Sequence, residues 1–452
     1  MALGGGTWQF QNKILPGTYI NFVSKVRAEA AIADRGYATV PITGSWGPAG
    51  KVFAVTAADF QTNSMKLFGY DYTADELKGL RDLFINAKTV YFYRLDNGSI
   101  KAKNELATAV YTGARGNDIS VSVAANVDDT TKFDVSTYIL VDGIQTRIDL
   151  QTGAIWSDIE DNDYVVFAKH DDTALAETAA TPLAGGTDGD AITGTQYQAY
   201  LDAISPYYFN VMGYLGTDAK IQSLLVQFTK RMRDETGAKF QLVVQGLDGA
   251  DHEGVISITN PVEDAGASPA AGVYWLTGAE ASCAVNASLT NAIYNGEYTF
   301  KTDYSQQDLE RALQTGRLIF HNVMRTVSGE LVGEIRILKD INSFVSYTKK
   351  KNKDFGKNQI IRVLDQVAVD FANLFNTTYL GKEQNDDEGR KALWGDGVYL
   401  LNEYQRVRAI QNFDPDNLPL PTQGTDKGAV LWDMEIQPTS AMEQLYMAVV
   451  VA

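Results

Sequence analysis

The sequence predicts a multidomain α+β protein, and three observations carry that prediction. At 452 residues the chain exceeds what one ordinary hydrophobic core holds. Helix and strand periodicities alternate over 21–101 and again from 190 onwards, whereas 102–189 shows only short alternating runs. Dense glycine punctuation, above all Gly185-Gly186-Thr187-Asp188-Gly189, falls where the texture changes. The expected organisation is a discontinuous α/β domain over 21–101 and 190–339, a β-rich insertion over 102–189 and a C-terminal α/β domain over 340–434. Segments 1–20 and 435–452 flank this body.

The elements follow in order. Gly4-Gly5-Gly6 precedes the short alternating segment Thr7-Trp8-Gln9-Phe10, which reads as a strand lacking its own sheet. Thr18–Val23 reads as the first strand of a folded body. Two apolar runs between Tyr37 and Val55 flank the loop Gly44-Ser45-Trp46-Gly47-Pro48-Ala49-Gly50. Thr73 is placed to cap a helix presenting Leu77, Leu80, Leu83 and Phe84 on one face, and Thr89–Arg94 is a Val/Tyr-rich strand. In the insertion, Ile119–Val123, Tyr138–Val141 and Tyr164–Phe167 alternate, with turns expected at Asp142-Gly143 and Thr152-Gly153. Beyond it come helices over Thr195–Ile204 and Asp218–Glu235, strands over Phe209–Met212 and Phe240–Gln245, and a helix from Gly272 towards Asn286. Ser305 with Asp308 three positions on is the spacing of a capping box. A Lys-rich stretch, Lys349–Lys357, leads into a helix over Asn358–Leu374 whose Ile361, Leu364, Val367 and Phe371 share one face. A second helix is expected over Glu388–Arg408, then terminal strands over Leu431–Ile436 and Gln444–Val451.

Composition narrows the function. The formal net charge of -17 repels phosphate backbones and anionic lipid, so neither nucleic acid nor a membrane is an expected partner. No apolar run approaches the length of a membrane span, and the uncharged opening segment does not read as a secretory leader. The single cysteine, Cys283, fits folding in a reducing cytosol. His170, His252 and His321 are scattered without metal-ligand spacing, and neither a Gly-x-Ser-x-Gly elbow nor a glycine-rich lysine loop occurs. No catalytic residue, metal or cofactor is therefore expected. The acidic clusters Asp161-Asn162-Asp163, Asp171-Asp172 and Asn385-Asp386-Asp387-Glu388 lack the Gly and distal Glu of a calcium loop and read as solvated loops. Arg94, Arg115 and Trp46 read as a binding site or, with more weight, as packing and turn residues. An enzyme would need a convergent titratable pocket, and a carbohydrate-binding module built on the β-rich insertion would need an exposed aromatic platform.

A set of ordered segments resembles the contractile tail sheath family of phages and phage-tail-like bacteriocins. These are Leu15-Pro16-Gly17-Thr18-Tyr19, Gly36-Tyr37-Ala38-Thr39-Val40-Pro41 with Trp46-Gly47-Pro48, Phe68-Gly69, and Val90-Tyr91-Phe92-Tyr93-Arg94-Leu95. They continue with Tyr111-Thr112-Gly113-Ala114-Arg115-Gly116-Asn117-Asp118-Ile119, Asp340-Ile341-Asn342-Ser343-Phe344 and Phe355–Asp365. The resemblance implies a structural sheath subunit, a homo-oligomer stacked as hexameric rings in a helical sheath around a tail tube protein, with baseplate and tail terminator proteins as further partners. It implies assembly in the bacterial host cytoplasm, incorporation into a virion tail or tail-like particle, and contraction that drives the tube through a target envelope. It also makes 340–434 the polymerisation domain and 1–20 and 435–452 arms exchanged as strands between subunits. The arm residues would be Thr7, Trp8, Gln9 and Phe10 at one end and Gln444, Leu445, Tyr446, Met447 and Val449 at the other. The cluster Lys349, Lys350, Lys351, Lys353, Lys357 and Arg362 reads either as a solvated loop or, following the resemblance, as a patch facing the tube.

Overall fold

The computed structural model describes residues 32–451 apart from 328 and 329, and the chain divides into two compact units. The larger holds Asp34–Gln366 with Pro438–Ala452; the smaller is built on Val367–Gln437. The expected strand at Thr18–Val23 and the expected arm residues Thr7, Trp8, Gln9 and Phe10 lie outside the described residues.

The larger unit begins with β1 (Tyr37–Ile42), β2 (Val52–Thr56), α1 (Ala57–Phe68), α2 (Lys78–Phe84) and β3 (Thr89–Arg94). The insertion supplies β4 (Ala107–Ala109), β5 (Ile119–Ala125), β6 (Phe133–Val141), β7 (Ile144–Gly153), β8 (Val165–Phe167) and β9 (Thr178–Pro182). The chain then returns through α3 (Gly194–Ile204), β10 (Val211–Gly213), α4 (Ala219–Arg231), β11 (Gln241–Gln245), β12 (Val255–Ile258), α5 (Gly272–Ser282), α6 (Gln306–Gln314) and β13 (Arg317–Leu318).

Seven of these strands form one sheet in the order β13-β12-β11-β10-β1-β3-β2, parallel throughout except for β2 against β3. Parallel strands covered on both faces need apolar residues at successive positions, and these strands have them. Val243 and Ile256 point to one face, where they meet Phe60, Leu83 and Leu276 of α1, α2 and α5. Leu242, Val244 and Val255 point to the other, where Leu201 and Leu225 of α3 and α4 cover them. Each such fully buried side chain stabilises the fold by roughly 1.5–3 kcal/mol. In the insertion, β7-β6-β5-β9 form an antiparallel sheet and β4 pairs with β8, around Val121, Val135, Ile139, Trp156 and Phe167.

Several local expectations hold for their stated reasons. Ser305 accepts from the Asp308 N–H while Asp308 reaches back to Ser305, closing the capping box. Asp142 and Gly143 both have positive φ, the geometry of a tight hairpin turn between β6 and β7. Others do not hold. Thr73 caps nothing; its N–H and hydroxyl both donate to Asp71, and the helix that follows starts without a side-chain cap. Thr152 and Gly153 make no turn but end β7, where Gly153 faces Asp158 too closely for a side chain. The helix expected to run towards Asn286 stops at Ser282.

The sequence reading overlooked an antiparallel hairpin, β14 (Phe320–Val327) with β15 (Glu330–Ile337). Next, α7 spans Asn358–Leu374, as expected, and α8 spans Asp387–Arg406. In the smaller unit, Leu374, Tyr379 and Leu393 form a small core flanked by Val430 and Trp432. The terminal strands are largely absent: only Val430–Leu431 and Gln437–Pro438 pair, and 439–451 carry no regular structure.

Candidate assembly surface

Four of the ordered segments meet at the joint between the sheet and the insertion. Trp46 is buried edge-on to Tyr111 at 5.3 Å, and its indole N–H donates to the Lys66 carbonyl at 3.0 Å. Arg94, at the end of β3, donates to the Gly44 carbonyl at 2.8 Å and to the Thr112 hydroxyl at 2.5 Å. Arg115 donates to the Gly69 carbonyl at 2.8 Å and to Asp118 at 2.9 Å. Gly113 has φ +129° and packs so closely on the Ser45 backbone that a Cβ would lie 2.0 Å from its carbonyl oxygen. These side chains are committed to protein groups, so the packing reading stands over the binding one.

Two further segments meet around Arg362. The Asn342 N–H donates to Gly356 O at 3.1 Å and its side chain to Phe355 O at 2.9 Å, joining 340–344 to the start of α7. Arg362, one turn into α7, has no exposed side-chain surface. It reaches Glu280 at 2.6 Å, Asp340 at 3.4 Å and the Ala287 carbonyl at 2.7 Å. Arg362 therefore does not belong to a tube-facing patch. The helical register carries it inward, and its two carboxylate partners compensate its charge there. Burial and the neighbouring Asp340 charge push the Glu280 carboxyl up to about 8, against the pull of Arg362. Burial also acts on Asp340, but Arg362, Glu280, the Leu289 N–H and the Asn358 amide together hold it below its ordinary value. The two carboxyl groups are thus shifted in opposite directions, Glu280 up and Asp340 down.

The other basic residues divide by partner. Lys349, Lys350 and Lys353 are exposed. Lys351 is tied to the buried Glu253 at 2.5 Å, and Lys357 donates to Ser440 at 2.9 Å and lies 3.7 Å from Glu443. Three lysines thus present free charge, and two fasten the loop to its own subunit.

The C-terminal segment is the largest departure from ordinary surface chemistry. Ser440, Ala441 and Glu443 are held: Ala441 donates its N–H to Gln359 at 2.9 Å, and Glu443 accepts from Thr290 at 3.2 Å. Beyond them Leu445, Tyr446, Val450 and Val451 are 85–91% exposed, and Gln444, Met447 and Val449 are exposed too. Among the described residues the expected strand is thus an unpaired segment whose backbone N–H and C=O groups have no ladder. An extended apolar run of this kind is a template for pairing with another sheet edge.

Among the described residues, one group the sequence reading did not bring together converges: Asp234, His252 and Glu253. His252 Nε2 lies 3.6 Å from Asp234 and 4.0 Å from Glu253. The Gly254 N–H donates to its Nδ1 at 3.0 Å, which places the neutral ring's hydrogen on Nε2, an atom beyond hydrogen-bond distance of both carboxylates and with no lone pair free for a metal. The acidic clusters shape turns: Asp386 caps α8 through the Gly389 N–H, and Asn162 and Asp171 accept from backbone N–H groups two residues on. No helix among the described residues is long and apolar enough to cross a membrane.

Comparison with known proteins accounts for most of the chain. Four family models match in succession: tail sheath protein Gp18 domain III N-terminal region over 35–95, phage tail sheath protein beta-sandwich domain over 96–188, phage tail sheath protein central domain over 190–343 and phage tail sheath C-terminal domain over 350–452. The solved sheath tail protein of Desulfitobacterium hafniense is 35% identical, with a TM-score of 0.79 over 93% of this chain and 96% of that one. The phage-like element PBSX protein XkdK of Bacillus subtilis is 29% identical over 98% of this chain and 99% of its own. At 11% identity the likeness extends, as a fold, to the helical sheath of the anti-feeding prophage in its contracted state, with a TM-score of 0.55 over 97% of this chain and 99% of that one.

Proposed function

The chain belongs to the phage tail sheath family, and from that premise we propose that it is the repeating subunit of a contractile tail sheath. It stacks as hexameric rings around a tail tube, between a baseplate and a tail terminator, after assembly in the host cytoplasm. The observation that carries this reading is the unpaired apolar segment 444–451. Added to a sheet edge of a second copy, it satisfies its own backbone groups and removes Leu445, Tyr446, Met447 and Val449 from water. A donor segment on one face and an acceptor edge elsewhere make a heterologous contact, and such contacts generate rings and helices instead of closed dimers.

Strand exchange also suits contraction. The backbone ladder holds subunits together while the bodies it links rotate, so a sheath can pass between two packings without coming apart. The extended packing is then a kinetic trap filled during assembly, and firing needs no nucleotide. The exposed Lys349, Lys350 and Lys353 present positive charge on a chain of net charge -17, and in this reading they register the subunit on an acidic tube.

Negative-stain electron microscopy of the purified chain, alone and with its tube protein, tests the proposal. Hollow striated tubes or sleeves around the tube are the expected result. Dispersed monomers in both conditions, with the baseplate also supplied, contradict it.

A further inference from the structure

We infer that Glu443 is the pivot of the C-terminal arm, an ionic clamp that fixes where the subunit's own body ends and the exchangeable strand begins. The inference rests on the reading of 444–451 as an inter-subunit arm. Segment 438–451 has almost no regular structure, yet it changes character at one residue. The Glu443 side chain is 15% exposed, lies 3.5 Å from Lys339 and 3.7 Å from Lys357, and accepts a hydrogen bond from Thr290 at 3.2 Å. Thr290 is itself fixed, because its hydroxyl accepts from the Asp340 N–H at 3.0 Å. Lys357 adds a second hold on Ser440, and Gln359 a third on Ala441.

Among the described residues nothing comparable holds the chain after Gln444, and the two sides of Glu443 are opposite in chemistry. Before it the chain is tied by polar bonds to Thr290, Lys339 and the start of α7; after it every residue from Leu445 to Val451 except Tyr446 lacks a polar side chain. Water-accessible ion pairs are worth little singly, but two lysines and a hydroxyl on one carboxylate define a position. The clamp therefore sets reach. Extended at about 3.3 Å per residue, 444–451 span roughly 26 Å measured from Glu443. A slack root would lengthen this reach and blur the register by whole residues, which turns each side chain of the added strand to the wrong face. Glu443 is a positioning residue for assembly, not a contact with the partner.

Backbone hydrogen exchange on the dissociated full-length chain reads the clamp directly. In Glu443→Lys, which faces Lys339 and Lys357 with a third positive charge, the Ala441 amide, which donates to Gln359, should exchange at least about tenfold faster, with the melting temperature unchanged. Adding Lys357→Glu should restore its protection, and tubes should lose helical order in the single variant and regain it in the double. If Glu443→Lys fails to fold, Glu443→Gln supplies the same comparison. Unchanged exchange overturns the clamp; faster exchange with tubes of wild-type order overturns its positioning role. Failure of the arm reading shows separately, as polymers that still form when 444–452 are deleted.

Discussion

Two regions of this protein invert the usual distribution of side-chain chemistry, in opposite senses. Around Arg362 three ionisable groups, Arg362 itself with Glu280 and Asp340, are sealed from water within the subunit. In the segment 444–451 nearly everything apolar faces water. The buried network is densely paired: Arg362 has two carboxyl groups and a carbonyl on its terminal nitrogens, and Asp340 also accepts from Leu289 and Asn358. The exposed segment is incomplete: among the described residues its backbone has no ladder, and its one side-chain hydrogen bond, from Tyr446 to Gln444, is internal. The first region holds one subunit together, and in the proposed reading the second is completed by another chain.

That contrast can be tested where it predicts the largest effect. Deleting 444–452 should abolish assembly into sedimenting polymers while leaving the thermal unfolding midpoint within about a degree, because almost no core contact is lost. A deletion that unfolds the chain would break the distinction. Arg362→Ala should do the reverse: it strands two buried carboxyl groups and should lower unfolding free energy by about 3–5 kcal/mol in urea titrations. A loss under about 1 kcal/mol would mean that water reaches the network.

Acidity sharpens the comparison further. Because the folded state holds the Glu280 proton up to about pH 8 and the unfolded state releases it near its ordinary value, the folded state binds more protons between those limits. This contribution to stability is complete below the ordinary glutamate range and is lost as pH rises towards 8, by at most about 1.4 kcal/mol per pH unit. The groups facing Glu280 are Arg362, Asp340 and Cys283, whose thiol burial pushes up to about 11, so the thiol stays neutral throughout this window. Glu280→Gln should flatten that decline in pH-dependent melts, and an unchanged slope would place the proton elsewhere. The smallest effect on the fold is expected from Lys349, Lys350 and Lys353 changed together to Glu. Stability should move by under about 0.5 kcal/mol, while co-sedimentation with the tube protein should weaken and lose its salt dependence. Unchanged co-sedimentation would leave these lysines as solvated charges.

Much of this was readable in the sequence wherever a local rule governs. The Ser305–Asp308 cap, the Asp142-Gly143 turn, the strand at Thr89–Arg94 and the limits of α7 follow from spacing, propensity and φ preference, which act within a few residues. The ordered segments identified the family for a similar reason. Trp46, Arg94, Gly113 and Arg115 each make a close contact at one joint, and each lies in a short segment that is readable in the sequence even though the joint itself is invisible there.

What only the tertiary structure decided concerns partners distant along the chain. Arg362 sits in a lysine-rich neighbourhood and reads as one more surface cation, yet its carboxylates come from Glu280 and Asp340, 82 and 22 positions away. The five lysines look equivalent in sequence, but Glu253 and Glu443 claim two of them. The hairpin at Phe320–Ile337 was overlooked because its alternation is diluted by polar residues on both faces. Segment 444–451 reads as a strand by composition, and its β-branched and aromatic residues justify that. Whether a strand forms depends on pairing with an edge, and among the described residues 444–451 pairs with none.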